Sequence, residues 1–264
     1  MKEYLIDTQR LAVTKTGDGF PFIFTHGLTA DSRQTLALGR GIAGLRLICP
    51  DMPGHGSSPL SRASFNDFAR LLLGLMDDQN IRSAVIGGIS MGAAISLNLA
   101  LAAPERVRGL VLVRPAWFDR PALPHLGIVR RIAVWQLERP ADAERLLLAD
   151  PEFNAMRKTN PLAAQSLMGM LTRPQAEDAA DMVVAMIDDQ PVADLEVLRT
   201  IQCPAMVVVN DGDPLHPTEI GQTLASHIPG ARLRSVPSRY LAPDDHVPML
   251  QSHIANFAQQ VGAL

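Results

Sequence analysis

The 264-residue sequence predicts an α/β protein: a mostly parallel, doubly wound, eight-stranded sheet with a block of helices inserted after the sixth strand. Three observations lead there. Short apolar runs alternate with longer stretches of helical periodicity, the sequence form of parallel strands joined by crossover helices. The runs end in loops dense in glycine, proline, histidine and aspartate, which mark ordered turns rather than linkers. Between 115 and 199 the strand signal gives way to amphipathic patterns broken repeatedly from Pro121 to Pro191.

In order along the chain, residues 5–16 read as two short strands or a hairpin edge closed by Gly17-Asp18-Gly19. The third strand, 21–25, stops at His26-Gly27-Leu28-Thr29. After a weakly helical stretch at 32–42, the fourth, 45–49, is closed by Asp51-Met52-Pro53-Gly54-His55-Gly56-Ser57-Ser58. Ser64 caps a helix running to Gln79, with Phe65, Phe68, Leu71, Leu72 and Leu75 spaced for one buried face. A fifth strand at 84–89 turns through Gly88-Ile89-Ser90-Met91-Gly92 into a helix, and 108–113 is the sixth. After the insertion come a strand at 205–209, a helix at 218–228, a short strand at 233–236 and a terminal helix at 247–261. This divides the chain into a core, 1–114 with 200–264, and a helical cap, 115–199.

Composition narrows the function classes. The chain is 47% hydrophobic and 19% charged with a net charge of −3, and it has neither a basic stripe nor an acidic tail. Nucleic acid and membrane are therefore not expected as partners, and a small-molecule substrate is. Residues 83–104 carry no charge, but Gly87-Gly88, Gly92 and Asn98 and the change of period at Ser90 fit a buried strand and helix better than a membrane span. Met1-Lys2-Glu3-Tyr4-Leu5-Ile6-Asp7 lacks the apolar core of a signal peptide. Cys49 and Cys203, each followed by proline in apolar surroundings, read as reduced thiols, so a cytoplasmic monomer or homodimer is expected.

The chemistry converges on Ser90. A strand that turns abruptly into a helix holds the apical serine in a strained backbone, its hydroxyl clear of the sheet and above a helix N-terminus. A serine needs a base to become nucleophilic, and the base needs a group that fixes its tautomer and stabilises its charge. On such an elbow the partners follow in the order Ser, Asp or Glu, His. Ser90, Asp213 and His246 supply that order, with Asp211 a weaker rival to Asp213. Of the other histidines, His26 and His55 lie in turns, His125 in the cap, His216 beside the acid in a solvated position, and His227 and His253 in helices.

These motifs together resemble the α/β-hydrolase superfamily: the His26-Gly27 turn, the Asp51-x-Pro53-Gly54-His55-Gly56-x-Ser58 loop, the Gly88-x-Ser90-x-Gly92 elbow, the Asn210-x-x-Asp213-x-x-x-Pro217 turn and the late His246. The match spans nearly the whole chain outside the cap and is most similar to small, capped, cofactor-free esterases and lactonases. The resemblance implies the α/β-hydrolase fold, Ser90 as nucleophile, His246 as base and Asp213 as orienting acid. It also implies backbone N–H groups of Leu28 and Met91 as an oxyanion hole, and no metal or organic cofactor. Two positions depart from the family pattern, Asn210 and Asp245, where glycine is usual.

The expected activity is hydrolysis of a carboxylic ester, thioester or lactone through an acyl-enzyme. Carbon–carbon or amide hydrolysis and perhydrolysis use the same triad, and a ligand-binding sensor would retain the fold without turnover. Epoxide hydrolases and dehalogenases place Asp where Ser90 stands. For the substrate pocket, Trp117, Phe118 and Trp135 are candidate walls alongside the cap methionines. Arg114, ending the sixth strand where an apolar residue is the default, either recognises a carboxylate or another polar group of the substrate or pairs with a cap carboxylate or Asp244/Asp245.

Overall fold

The computed structural model describes residues 1–61 and 64–263. Eight strands, β1 (Lys2–Ile6), β2 (Gln9–Thr16), β3 (Phe20–Thr25), β4 (Leu45–Pro50), β5 (Ala84–Ile89), β6 (Val107–Val113), β7 (Ala205–Val209) and β8 (Arg232–Ser235), form one sheet in the order β1-β2-β4-β3-β5-β6-β7-β8. The pairings β1–β2 and β2–β4 are antiparallel, and the rest are parallel.

The period of two in the strands sorts their side chains into two buried layers. Ile23, Ile48, Ile86, Leu112 and Val207 face one layer with Phe68, Leu72 and Leu75 of helix α2 (Phe65–Asp78) and Leu97 of helix α3 (Met91–Ala102). Phe22, Phe24, Leu47, Val111 and Val208 face the other, against Leu38 of α1 (Ser32–Gly39) and Leu250, Ile254 and Phe257 of α10 (Pro243–Gln260). Helix α9 (Thr218–His227) crosses from β7 to β8. Ser64 accepts a hydrogen bond from the Asp67 N–H at the start of α2, as its capping role requires.

Between β6 and β7 the described chain contains five α-helices: α4 (Gly127–Glu138), α5 (Ala143–Ala149), α6 (Pro151–Thr159), α7 (Pro161–Thr172) and α8 (Ala180–Ile187). Prolines at N1 of α6 and α7, with Asp150 and Asn160 capping them, explain why the prolines punctuate this block without destroying it. The ambiguous run 182–187 is helical, inside α8. The Ala122 N–H donates to the Ile187 carbonyl at 3.0 Å, closing the block at its base. A 3-10 turn, Leu195–Thr200, leads back to the sheet and packs against α3 and α9.

One boundary differs from expectation in a way that matters for chemistry. The terminal helix starts at Pro243, so His246 lies within its first turns instead of preceding it. Pro243 occupies N1 and Asp244 and Asp245 the first turn, where fixed φ and negative charge favour a helix N-terminus.

Candidate active site

The β5–α3 elbow is built by close approach. A Cβ on Gly88 would lie 2.1 Å from the Gly92 carbonyl carbon, and one on Gly92 would lie 2.1 Å from the Thr25 oxygen. Only glycine at both places lets the strand reverse so tightly. Ser90 takes φ 54° and ψ −109°, a conformation that costs a side chain on the order of 1–3 kcal/mol. Its N–H is tied to the Val113 carbonyl at 3.0 Å, yet its hydroxyl caps nothing in α3. A simple helix-capping role for Ser90 is thereby excluded.

Facing the elbow is the 26–29 turn, held by two buried histidines. The His26 Nε2 accepts from Met52 N–H at 2.9 Å, and the His55 Nε2 accepts from Thr29 N–H at 3.1 Å. Each Nδ1 donates to a backbone carbonyl, of Gly27 and Pro53 respectively. Burial lowers both pKa values, keeping the rings neutral and the tautomers fixed. Asp51 serves the same scaffold, accepting from Ser32 and Ser57 N–H. The Leu28 and Met91 N–H groups have no acceptor among the described residues, leaving both available to a ligand oxygen.

Above Ser90 lies a cavity of about 300 Å³. Leu28, Ser90, Arg114, His216, Arg239 and Tyr240 line it from the loops around the sheet, and Leu126, Val129, Ser166, Leu167 and Met170 from the helical block between β6 and β7. Trp117 also lines it, stacked edge-on against Phe65 at 5.6 Å. Phe118 and Trp135 do not; Phe118 carries the Arg120 guanidinium over its ring, and Trp135 packs into the cap core.

The partners of the acid differ from expectation. Asp213 does not bond to His246. Its Oδ2 accepts from Arg114 Nη1 at 3.3 Å, and its Oδ1 accepts from Leu215 N–H at 3.1 Å. His216 Nδ1 lies 2.9 Å from the same Oδ1, out of line for a full hydrogen bond. Thus His216 is packed against Asp213 with its side chain only 10% exposed, and Arg114 pairs with Asp213, not with a carboxylate of the inserted helices or with Asp244/Asp245. The reason is local: the turn after β7 folds back so that His216 N–H reaches the Asp213 carbonyl, putting both side chains on one side. His246, carried into the helix, donates from Nδ1 to the Pro237 carbonyl at 2.8 Å, and its Nε2 is buried without a partner.

Electrostatics follow burial. Burial pushes the Asp213 carboxyl up, but His216, Arg114 and the Leu215 N–H together hold it well below the usual carboxylate range. Burial also lowers His216 against the pull of Asp213, and lowers His246 against its bond to Pro237, so both imidazoles are neutral bases at neutral pH. Arg114, desolvated and facing Arg239, falls to about 10 and stays charged.

A family model described as the alpha/beta hydrolase family matches residues 22–260. The chain belongs to the alpha/beta hydrolase family. Among the curated relatives of this alpha/beta hydrolase, 2-hydroxymuconate semialdehyde hydrolase of a Pseudomonas species is 29% identical over 259 residues, covering 94% of this chain and 87% of its own. Pimeloyl-[acyl-carrier protein] methyl ester esterase of Aromatoleum aromaticum is 28% identical over 204 residues, 72% of this chain and 78% of its own. Among solved structures, the enol-lactonase of Burkholderia xenovorans superposes with a TM-score of 0.77 at 19% identity, over 98% of this alpha/beta hydrolase and 100% of that chain. A thermophilic esterase from Thermogutta terrifontis gives 0.76 at 24%, over 96% and 94%. Both curated relatives named here are hydrolases by name.

Tyr240, Ser166 and Arg239 are cavity residues that sequence reasoning did not single out. The one available signal is the eleven-residue spacing from Ser235 to His246, longer than a tight turn needs. It accommodates the 237–242 turn, closed by Ala242 N–H to the Ser238 carbonyl at 2.8 Å, which delivers Arg239 and Tyr240 to the cavity.

Proposed function

We propose that the protein is a serine hydrolase cleaving a carboxylic ester, thioester or lactone through an acyl-enzyme on Ser90. The observation that carries this reading is the elbow: a strained serine with an uncommitted hydroxyl at a cavity wall, beside two backbone N–H groups without acceptors. Ser90 Oγ attacks the carbonyl carbon while an imidazole removes its proton. The carbonyl oxygen takes up the negative charge against the Leu28 and Met91 N–H groups, each worth roughly 10²–10³ in rate. Collapse expels the alcohol, thiol or ring oxygen, which receives the proton, and water then releases the acid by the same route.

For the base, the arrangement supports His216. Its Nδ1 lies 2.9 Å from the Asp213 carboxylate and its ring lines the same cavity as Ser90. Chain order supports His246, and so does its buried, unpartnered Nε2. Replacing the true base by glutamine lowers kcat by about 10²–10⁴. If His246→Gln loses far more than His216→Gln, the base is His246. Because burial lowers both imidazoles, the acidic limb of kcat/KM falls below pH 6.5 in either case.

The test of the nucleophile is labelling with a fluorophosphonate probe. Stoichiometric labelling of the folded protein that disappears in Ser90→Ala supports the reading; folded but unlabelled wild type ends it and favours a binding role. A second reaction, carbon–carbon bond hydrolysis by the same Ser90 machinery, is favoured by the similarity to 2-hydroxymuconate semialdehyde hydrolase over most of the chain.

A further inference from the structure

The cavity over Ser90 is unbalanced in charge. Its charged lining residues are two arginines, Arg114 and Arg239, and no Asp or Glu lines it. Behind the wall, Asp213 neutralises Arg114 through the 3.3 Å contact. Arg239 has no carboxylate within salt-bridge distance among the described residues; its guanidinium is stacked 4.7 Å from the Tyr240 ring centroid, which orients it without neutralising it. His216, the remaining titratable group at the wall beside Tyr240, is held neutral by burial. One positive charge is left over.

An uncharged alkyl substrate would leave that charge unmatched in a largely enclosed site. A group that carries one negative charge would match it, and a planar guanidinium pairs best with a planar carboxylate.

We propose that the substrate carries a carboxylate in addition to the scissile carbonyl, and that Arg239 is its anchor. The inference rests on Ser90 being the nucleophile, and it narrows that reading to small anionic acyl compounds, such as dicarboxylic hemi-esters or lactones bearing an acid. The volume, at the low end of the roughly 300–1,000 Å³ usual for ligand sites, limits them to short chains.

The test compares two esters with the same carbon skeleton, monomethyl glutarate and methyl pentanoate, in which a terminal carboxylate stands against a methyl group. Wild-type enzyme is expected to favour the hemi-ester by at least tenfold in kcat/KM, and Arg239→Gln to bring that ratio close to one, with Arg239→Lys between. In parallel, calorimetry with Ser90→Ala measures binding of monomethyl glutarate without turnover; adding Arg239→Gln should weaken it about tenfold or more. A wild-type ratio at or below one, or a high ratio that Arg239→Gln leaves intact, overturns the proposal. A protein that binds the hemi-ester through Arg239 but is neither labelled nor active at Ser90 upholds the anionic subsite and overturns the nucleophile instead.

Discussion

Arg114 and Asp213 form an ion pair with side chains 1% and 0% exposed, and the arginine sits at φ 46° at the end of β6. A buried pair gains little over a well-packed apolar substitute, but removing one member strands the other's charge. Asp213→Ala is therefore expected to destabilise the protein by about 3–5 kcal/mol in urea unfolding, whereas the double change Arg114→Met with Asp213→Leu recovers most of that loss. Sequence drew attention to both residues but not to their meeting, because strand order and the fold-back of the 213–216 turn decide which charges face one another. His216 illustrates the same limit. Three residues from an acid, it reads as a surface histidine until the turn brings its ring inside. The thiols were simpler: both are free, and burial raises Cys49 to about 12 and Cys203 to about 11, which makes them poor nucleophiles.

The strand-to-helix elbow was the most legible element, since its requirements are local. Gly88 and Gly92 are there because backbone stands where a side chain would go. Gly88→Ala has no flexible neighbour to displace; we expect a loss of about 3 kcal/mol or more in urea unfolding, together with loss of probe labelling at Ser90 as the turn opens. The strands and α2 were equally readable, their periods of 2 and 3.6 being written in consecutive residues. Helix α10 was less so. Pro248 lies inside it, a residue that ordinarily argues against a continuing helix, and the earlier start at Pro243 is fixed by packing of Leu250, Ile254 and Phe257 under the sheet. That packing, invisible in the local sequence, sets where His246 ends up. The five-helix block was recognisable as helical, but its choice of cavity-facing residues was not, and of the proposed aromatic walls only Trp117 lines the cavity.

At the scale of the whole molecule, neutral buried histidines dominate the expected response to acid. His26, His55, His125, His216 and His246 all titrate below their ordinary value near 6.5. The unfolded chain therefore binds more protons than the folded one between that value and the lowered ones, and stability declines as pH falls through this window. For the fully enclosed His26 and His55 the slope reaches up to about 1.4 kcal/mol per pH unit each. Asp213, depressed in the fold, adds stability above its unfolded value near 3.8 that is lost only at lower pH. Urea midpoints measured from pH 8 to 5 should thus begin to drop near 6.5, well before any carboxylate titrates. The closure of the cap at its base, by Ala122 N–H on the Ile187 carbonyl, bears on descent as well as on folding. The stretch between those two residues is pinned at its ends by that bond, while Ser90, Arg114, Arg239 and Asp213 lie outside it in sequence. On the proposed reading, the residues that bound the acyl chain and the residue that holds its charge therefore lie in separate stretches of the sequence. A chimera carrying another hydrolase's 123–186 segment should inherit a new chain-length preference and keep its appetite for the anion.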